Sequence, residues 1–344
     1  MTDTANSFGN GDALSAIPKR GAVMDRRTLL GAGAALLATS LPLGAQPVKA
    51  ALSTRRLNNV MISVSNLDRS VAFYQKLFGP AVMDGDTAII RIGDGPHFLG
   101  ITQMKNGAQP GFLSYGLTVA DFDPAGVRKA ITGLGFKAEA GNRNGTPEVW
   151  AYDPDAIKIQ LQHVTYGHGA GALGAVLPAR AKGTSAFNLK AISHVTLTNS
   201  NGPKSLDFYS RMFGWPVQSK QGPTQWCFSV GEGLDCVVFN VAVNNPAAKA
   251  GVNHACFTMP AFDANTVMNI LSDNGLEPIE YGNAALIKPL TCRTRLRQRA
   301  NNGGGPGHWL GTPELYFNDP DNIAMQLQDV SYCGGSGMQG EVCP

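Results

Sequence analysis

Leu57 to Val82 reads LNNVMISVSNLDRSVAFYQKLFGPAV, and Ile192 to Val217 reads ISHVTLTNSNGPKSLDFYSRMFGWPV. Both stretches begin with an alternating strand, turn on polar residues, and continue into a helix that ends in Phe-Gly. A second pair keeps the same order further along. Thr146 to Gln162 (TPEVWAYDPDAIKIQLQ) matches Thr312 to Gln328 (TPELYFNDPDNIAMQLQ). Preserved order points to a duplicated domain of about 110 residues or more. The first copy is expected at 55–168 and the second at 189–333. They are joined by an Ala/Gly-rich linker at 169–188 and followed by a Gly-rich tail at 334–344.

Each copy divides again. In the first, Asn59 to Val64 alternates as a strand. Asp68 to Leu77 places Val71, Phe73, Tyr74 and Leu77 at helical spacing. Ala88 to Ile92 and Phe98 to Thr102 read as strands. The order then restarts with a strand at Leu113 to Val119, a helix from Pro124 to Leu134 stopped by Gly135, and a closing strand at Ile157 to Gln162. Two such units can complete one curved sheet with a concave face for a small ligand.

The chain has 344 residues, 43% apolar and 15% charged, which suits two globular domains rather than a disordered chain. A formal charge of +3, without a basic stripe, gives no case for nucleic acid. The first fifty residues are expected to be a signal rather than fold. Asp25-Arg26-Arg27-Thr28-Leu29-Leu30 opens a weakly apolar run, Gly31 to Leu43, followed by small residues and cleavage after Ala45 or Ala50. This is the order of a twin-arginine export signal, which predicts a periplasmic or secreted protein. A membrane anchor is the alternative, but the run is shorter than the roughly 18–20 residues of a span. No other segment could cross a membrane, so the mature protein is expected to have no stable span.

All six cysteines lie in the second half. In an oxidising compartment Cys333 could pair with Cys343, and Cys227 with Cys236 across a Gly-Glu-Gly turn. Spacing alone does not settle either pairing.

His194 and His254 each sit inside an apolar run at equivalent points of the two units of the second copy. Further on come His308, Leu315-Tyr316, Asp319-Pro320 and Gln326, the last in phase with Ala324 and Gln328. These are the parts of a mononuclear metal site, except that Gln326 stands where a carboxylate is usual. Each histidine could instead be a core residue. The first copy has Asn59, Ser114 and Gln160 at the corresponding positions, which is no metal site.

The SVAFYQKLFG and SLDFYSRMFG helices, the DPD turns and the paired units resemble the vicinal oxygen chelate superfamily. The resemblance covers roughly residues 55 to 333. It implies an α+β fold of four βαβββ units paired into two glyoxalase-like domains, as in the extradiol ring-cleavage dioxygenases. It further implies that His194, His254 and Gln326 hold a divalent metal, Fe(II) first, with Mn(II), Zn(II) or Ni(II) as alternatives. His308 and Tyr316 would donate hydrogen bonds to the substrate's oxygens, as catalytic donors. The ring-cleaving enzymes carry one more histidine before the second ligand. Between Phe228 and Asn253 this chain has none.

The second copy also has an excess of chain at about Ala284 to Trp309, carrying Arg293, Arg295, Arg297 and Arg299. One reading is a lid whose Arg293, Arg295 and Arg297 bind an anionic substrate. The other is a solvated loop or an oligomer contact. Two functions therefore stand side by side. One is a metal-dependent enzyme, dioxygenase-like or a non-oxidative lyase or isomerase, acting on a small aromatic or oxygenated substrate. The other is a metal-free binding protein like the bleomycin-resistance relatives. A homo-oligomer is compatible with both.

Overall fold

The computed structural model describes residues 50–143, 145–166, 185–221, 223–231, 233–280, 288–297 and 312–332. The export signal, most of the linker and the tail fall outside them. Among the described residues no helix is long and apolar enough to cross a membrane.

The first copy opens with strand β1 (Thr54–Val64), helix α1 (Leu67–Phe78), and strands β2 (Ala81–Asp84), β3 (Thr87–Arg91) and β4 (Phe98–Gln103). The pattern repeats as β5 (Gly111–Val119), α2 (Pro124–Gly133), β6 (Ala138–Arg143), β7 (Thr146–Tyr152) and β8 (Lys158–His163). The second copy follows the same plan. Its first unit is β9 (Ala191–Thr198), α3 (Gly202–Phe213), β10 (Val217–Lys220), β11 (Gln225–Ser229) and β12 (Cys236–Asn240). Its second is β13 (Gly251–Met259), α4 (Ala264–Asp273), β14 (Glu277–Pro278), β15 (Thr291–Arg297), β16 (Thr312–Asn318) and β17 (Ala324–Asp329).

The eight-stranded sheet runs β2-β3-β4-β1-β5-β8-β7-β6, and the nine-stranded sheet runs β10-β11-β12-β9-β13-β17-β16-β15-β14. In both, the first strands of the two units pair antiparallel at the centre, and each pairs parallel with the last strand of its own unit. That topology brings β9, β13 and β17 side by side, although the sequence separates them widely.

Local chemistry sets the helix ends. The Asn66 side chain accepts the Arg69 N–H at 2.9 Å, and Asn201 does the same for Lys204 at 3.0 Å. Helix α3 closes on Gly214 at φ 60°, a left-handed conformation that suits a residue without Cβ. Strands β2 and β6 are not legible in the sequence. Ala138–Arg143 is an edge segment, AEAGNR, whose residues are exposed or half-buried, so no apolar alternation marks it.

The two copies share one apolar core. Phe78 of α1 lies 5.1 Å from Phe257 and 6.1 Å from Phe317, ring centre to ring centre, and both partners belong to the second sheet. Phe208 of α3 lies 4.7 Å from Phe136 of the first copy. Each fully buried aromatic stabilises the fold by roughly 1.5–3 kcal/mol. The duplicated DPD turns complete the exchange. Tyr74 donates to Asp319 at 3.0 Å and Tyr209 to Asp153 at 3.1 Å, so each tyrosine caps the turn of the other copy. Burial, the largest influence, raises both carboxyls to a pKa of about 6. The last position of each turn is left-handed, Ala156 at φ 62° and Asn322 at φ 65°. That geometry explains why the resembled family prefers glycine there and why asparagine serves.

The structure revises the reading of the segment around Ala284 to Trp309. Thr291–Arg297 is a strand, β15, paired with β16 just as β6 pairs with β7 in the first copy. Arg293 and Arg295 therefore belong to the sheet and not to a lid. The extra chain falls at 281–287 and 298–311, outside the described residues. Cys227 and Cys236 are buried thiols in contact, not a disulfide. Cys333 and Cys343 lie outside the described residues.

Candidate metal and substrate site

Three strands build the site. Cys256 on β13 is paired with His194 on β9 to one side and with Gln326 on β17 to the other. Directly paired residues share a face of the sheet, so the three side chains stand in a row. Cysteine in the middle is short, and the two longer side chains meet beyond it: His194 Nε2 lies 3.1 Å from Gln326 Oε1. Burial pushes the Cys256 thiol well up, and the nearby Glu314 carboxylate adds to this, so the sulfur stays protonated. The first copy has Gly116 at the equivalent place, where an added Cβ would fall 2.1 Å from Asn59 Nδ2.

His254 stands two residues before Cys256, and its ring centre is 5.6 Å from that of His194. Its Nδ1 is 2.8 Å from Asn253 Oδ1, while Asn253 Nδ2 donates to Thr198 Oγ1 at 3.3 Å. An amide oxygen can only accept, so His254 carries its proton on Nδ1 and presents the lone pair of Nε2. On His194, Nδ1 lies 3.3 Å from Ser193 Oγ. The Gln326 oxygen too can only accept, so without an ion His194 Nε2 donates to it and a bound metal would take that proton's place; the Ser193 hydroxyl, which both donates and accepts, fits either tautomer.

These residues fit a divalent ion. Two ligands at right angles, each about 2.1 Å from a metal, lie about 3 Å apart, which is the observed spacing of His194 and Gln326. The supporting oxygens of Ser193 and Asn253 are what metal-bound imidazoles need on the opposite ring nitrogen. The set is neutral, because Gln326 contributes an amide oxygen. Its Nε2 is buried without a hydrogen-bond partner, a cost of about 1–3 kcal/mol. The orientation that leaves the nitrogen unpaired is the one that turns the oxygen toward His194.

Tyr316 faces Gln326 directly across the β16–β17 ladder, and its ring is 5.3 Å from that of His254. The Arg293 guanidinium lies 4.9 Å from the centre of the Tyr316 ring. A cavity of about 320 Å³ opens here, with His254, Arg293, Arg295 and Tyr316 in its walls. That volume is in the range of small-molecule sites. His194 and Gln326 are not in the lining and are 1% and 0% exposed. His308 and the side chain of Arg297 lie outside the described residues.

Sequence reasoning missed Glu314. It is fully buried on β16 and accepts hydrogen bonds from Tyr316 at 2.9 Å and Tyr332 at 3.0 Å. Tyr332 in turn packs 5.5 Å from the His194 ring. The signal was present, since a glutamate interrupts the same apolar strand in both copies. In the first, Glu148 accepts from Tyr166 at 2.5 Å and from Gln160 Nε2 at 2.6 Å. The glutamines thus behave differently: Gln160 gives its nitrogen to the glutamate, and Gln326 gives its oxygen to a histidine.

Paired strands of this order, two units to a sheet and two sheets to a chain, are also found in solved structures. An Mn(II)-bound glyoxalase from Novosphingobium aromaticivorans matches with a TM-score of 0.59 and 15% identity, over 82% of this chain and 86% of that one. The fold is that of the vicinal oxygen chelate proteins. A catechol 2,3-dioxygenase shares this fold with a TM-score of 0.56 and 14% identity, over 85% of this chain and 96% of its own. An extradiol ring-cleaving dioxygenase from B. fuscum matches with a TM-score of 0.54 and 17% identity, over 86% and 77%. No protein-family model matches the sequence, and no curated protein matches it. Several vicinal oxygen chelate neighbours are thus enzymes by name, and one is described with Mn(II) bound.

Proposed function

We propose that this chain is an exported metalloenzyme of the vicinal oxygen chelate fold, most like the extradiol dioxygenases. Its second sheet would take a divalent cation on His194, His254 and Gln326, with Fe(II) first and Mn(II), Zn(II) or Ni(II) as alternatives. The observation that carries the reading is the 3.1 Å approach of His194 Nε2 to Gln326 Oε1, two donors 132 residues apart in sequence. When bound, such an ion polarises substrate oxygens as a Lewis acid and, if it is iron, exchanges electrons with dioxygen.

The protein's own groups supply position and charge. Asn253 and Ser193 fix the two imidazoles. Tyr316 stands at the cavity wall, the donor that the resemblance assigns, and its hydroxyl is held by Glu314. Arg293 and Arg295 make the cavity attractive to a substrate with an acidic group beside its ring or oxygenated carbons. His308 is assigned by resemblance as a further donor. The twin-arginine motif at Arg26-Arg27 would carry the folded, loaded protein to the periplasm.

A second reading is a metal-free binding protein. The neutral Gln326 favours it, as does the lack of histidine between Phe228 and Asn253. Metal analysis of tag-free protein beside His194→Ala and His254→Ala separates the two. Near-stoichiometric metal lost in both variants supports the enzyme, and oxygen uptake with catechols then tests the dioxygenase reading against a lyase or isomerase. Metal-free, folded wild-type protein establishes the binding reading instead.

A further inference from the structure

The first sheet has its own cavity, about 480 Å³, and the metal reading makes no use of it. Its lining includes Ser114, the residue that stands where the second copy has His254. Ser114 is almost fully buried. Its lining has no histidine or cysteine, and what it offers a ligand is charge and shape.

Lys105, Arg143 and Lys158 line the cavity, and Asp86 is the one carboxylate in its lining, while Glu139 and Glu148 act on Lys158 from behind it. Arg143 is engaged, 3.5 Å from Asp84 and 3.7 Å from Glu148. Lys158 is set differently. Its ammonium lies 3.6 Å from the centre of the Trp150 ring, and it forms no ion pair with a described carboxylate. The indole is held in turn across Gly141, where an added Cβ would fall 2.2 Å from its Nε1. Lys158 is therefore a fixed cation on a fixed aromatic surface. Burial lowers its pKa, the Glu139 and Glu148 carboxylates oppose that, and Lys105 and Arg143 lower it by smaller amounts. The rest of the wall is apolar, with Met61, Met104 and Leu113, and Leu113 is 46% exposed. A large exposed leucine in a concave wall suits an apolar partner.

We infer that the first cup is a second binding site, separate from the metal centre, for a small organic carboxylate with an apolar body. The carboxylate is met by Lys158, Lys105 and the Ser114 hydroxyl, and the body lies against Leu113 and Trp150. The inference does not depend on a metal at His194 and His254, since no residue is shared between the sites.

Isothermal titration with benzoate tests it, with benzyl alcohol as the neutral probe of similar shape. Wild-type protein, the double variant Lys105→Gln/Lys158→Gln, and Arg293→Gln from the other cavity are compared after circular dichroism shows equal folding. Benzoate is expected to bind wild type better than benzyl alcohol. Arg293→Gln removes binding at the second cavity, whose arginines also suit an acid, and the benzoate binding that persists in it is expected to lose about tenfold in affinity when the two lysine substitutions are added. A single-lysine variant takes the place of the double should the latter unfold. The inference is overturned if benzoate does not bind Arg293→Gln at millimolar concentration, or if the binding that remains there survives the lysine substitutions.

Discussion

His194 Nε2 and Gln326 Oε1 meet at 3.1 Å over the short side chain of Cys256. The contact is made by strands from different units of the second copy. It has no equivalent in the first, where Asn59 and Gln160 turn to Asn58 and Glu148. On the proposed reading, metal binding in the second cup depends on the charge at residue 326.

Gln326→Glu places a carboxylate at that point. Added ligand charge tightens divalent binding, so affinity for Mn(II) or Fe(II) is expected to rise on the order of tenfold or more. Competition against a chromophoric chelator measures it. Equal affinity in the variant and the wild type would mean that residue 326 does not touch the ion.

Stability should depend on pH through the crossed turns. Asp153 and Asp319 have pKa values of about 6 in the fold against 3.8 for the ordinary carboxyl. Between about pH 4 and 6 the folded protein keeps protons that the unfolded chain has released. Stability from this source is complete below that window and falls as pH rises through it. A shift of this size corresponds to on the order of 3 kcal/mol per group. Asp153→Asn and Asp319→Asn remove the titration while keeping an oxygen for the turn N–H groups. Relative to wild type, each variant should gain stability from pH 4 to pH 7 in urea titrations. A difference that stays constant with pH would refute the assignment.

Ala156 holds φ 62° at the end of the first DPD turn, a conformation that costs an L-residue. Ala156→Gly is expected to raise unfolding stability by about 1 kcal/mol. Thermal melts read this directly. No change in Tm, or a fall, would show that the turn relaxes without strain.

The proposed export would rest on Arg26 and Arg27. Replacing both by lysine keeps the charge but removes the paired guanidinium groups. The precursor should then accumulate in the cytoplasm, seen by fractionation and blotting. Unimpaired export of the variant would remove the twin-arginine route.

The sequence by itself determined the architecture, because an internal repeat states the same hydrophobic pattern twice and each pattern admits few folds. It also phased His194 and Gln326 on their strands, while His254 and Tyr316 were singled out beside them by the family resemblance. Edge strand β6 and the place of Arg293 and Arg295 on β15 were not legible, because polar edge strands lack the alternation that burial imposes. Glu314 escaped for a related reason: a buried acid is recognised by its partners, and Tyr332 is a partner only in space. Tertiary structure alone decided three matters. Pairing of β9, β13 and β17 decided that His194 and Gln326 meet. Packing of each copy's helix against the other copy decided the shared core. Closure of the first sheet decided that Lys105 and Lys158 face one cavity. All three depend on strand register and side-chain direction across distant segments, which local propensity does not encode.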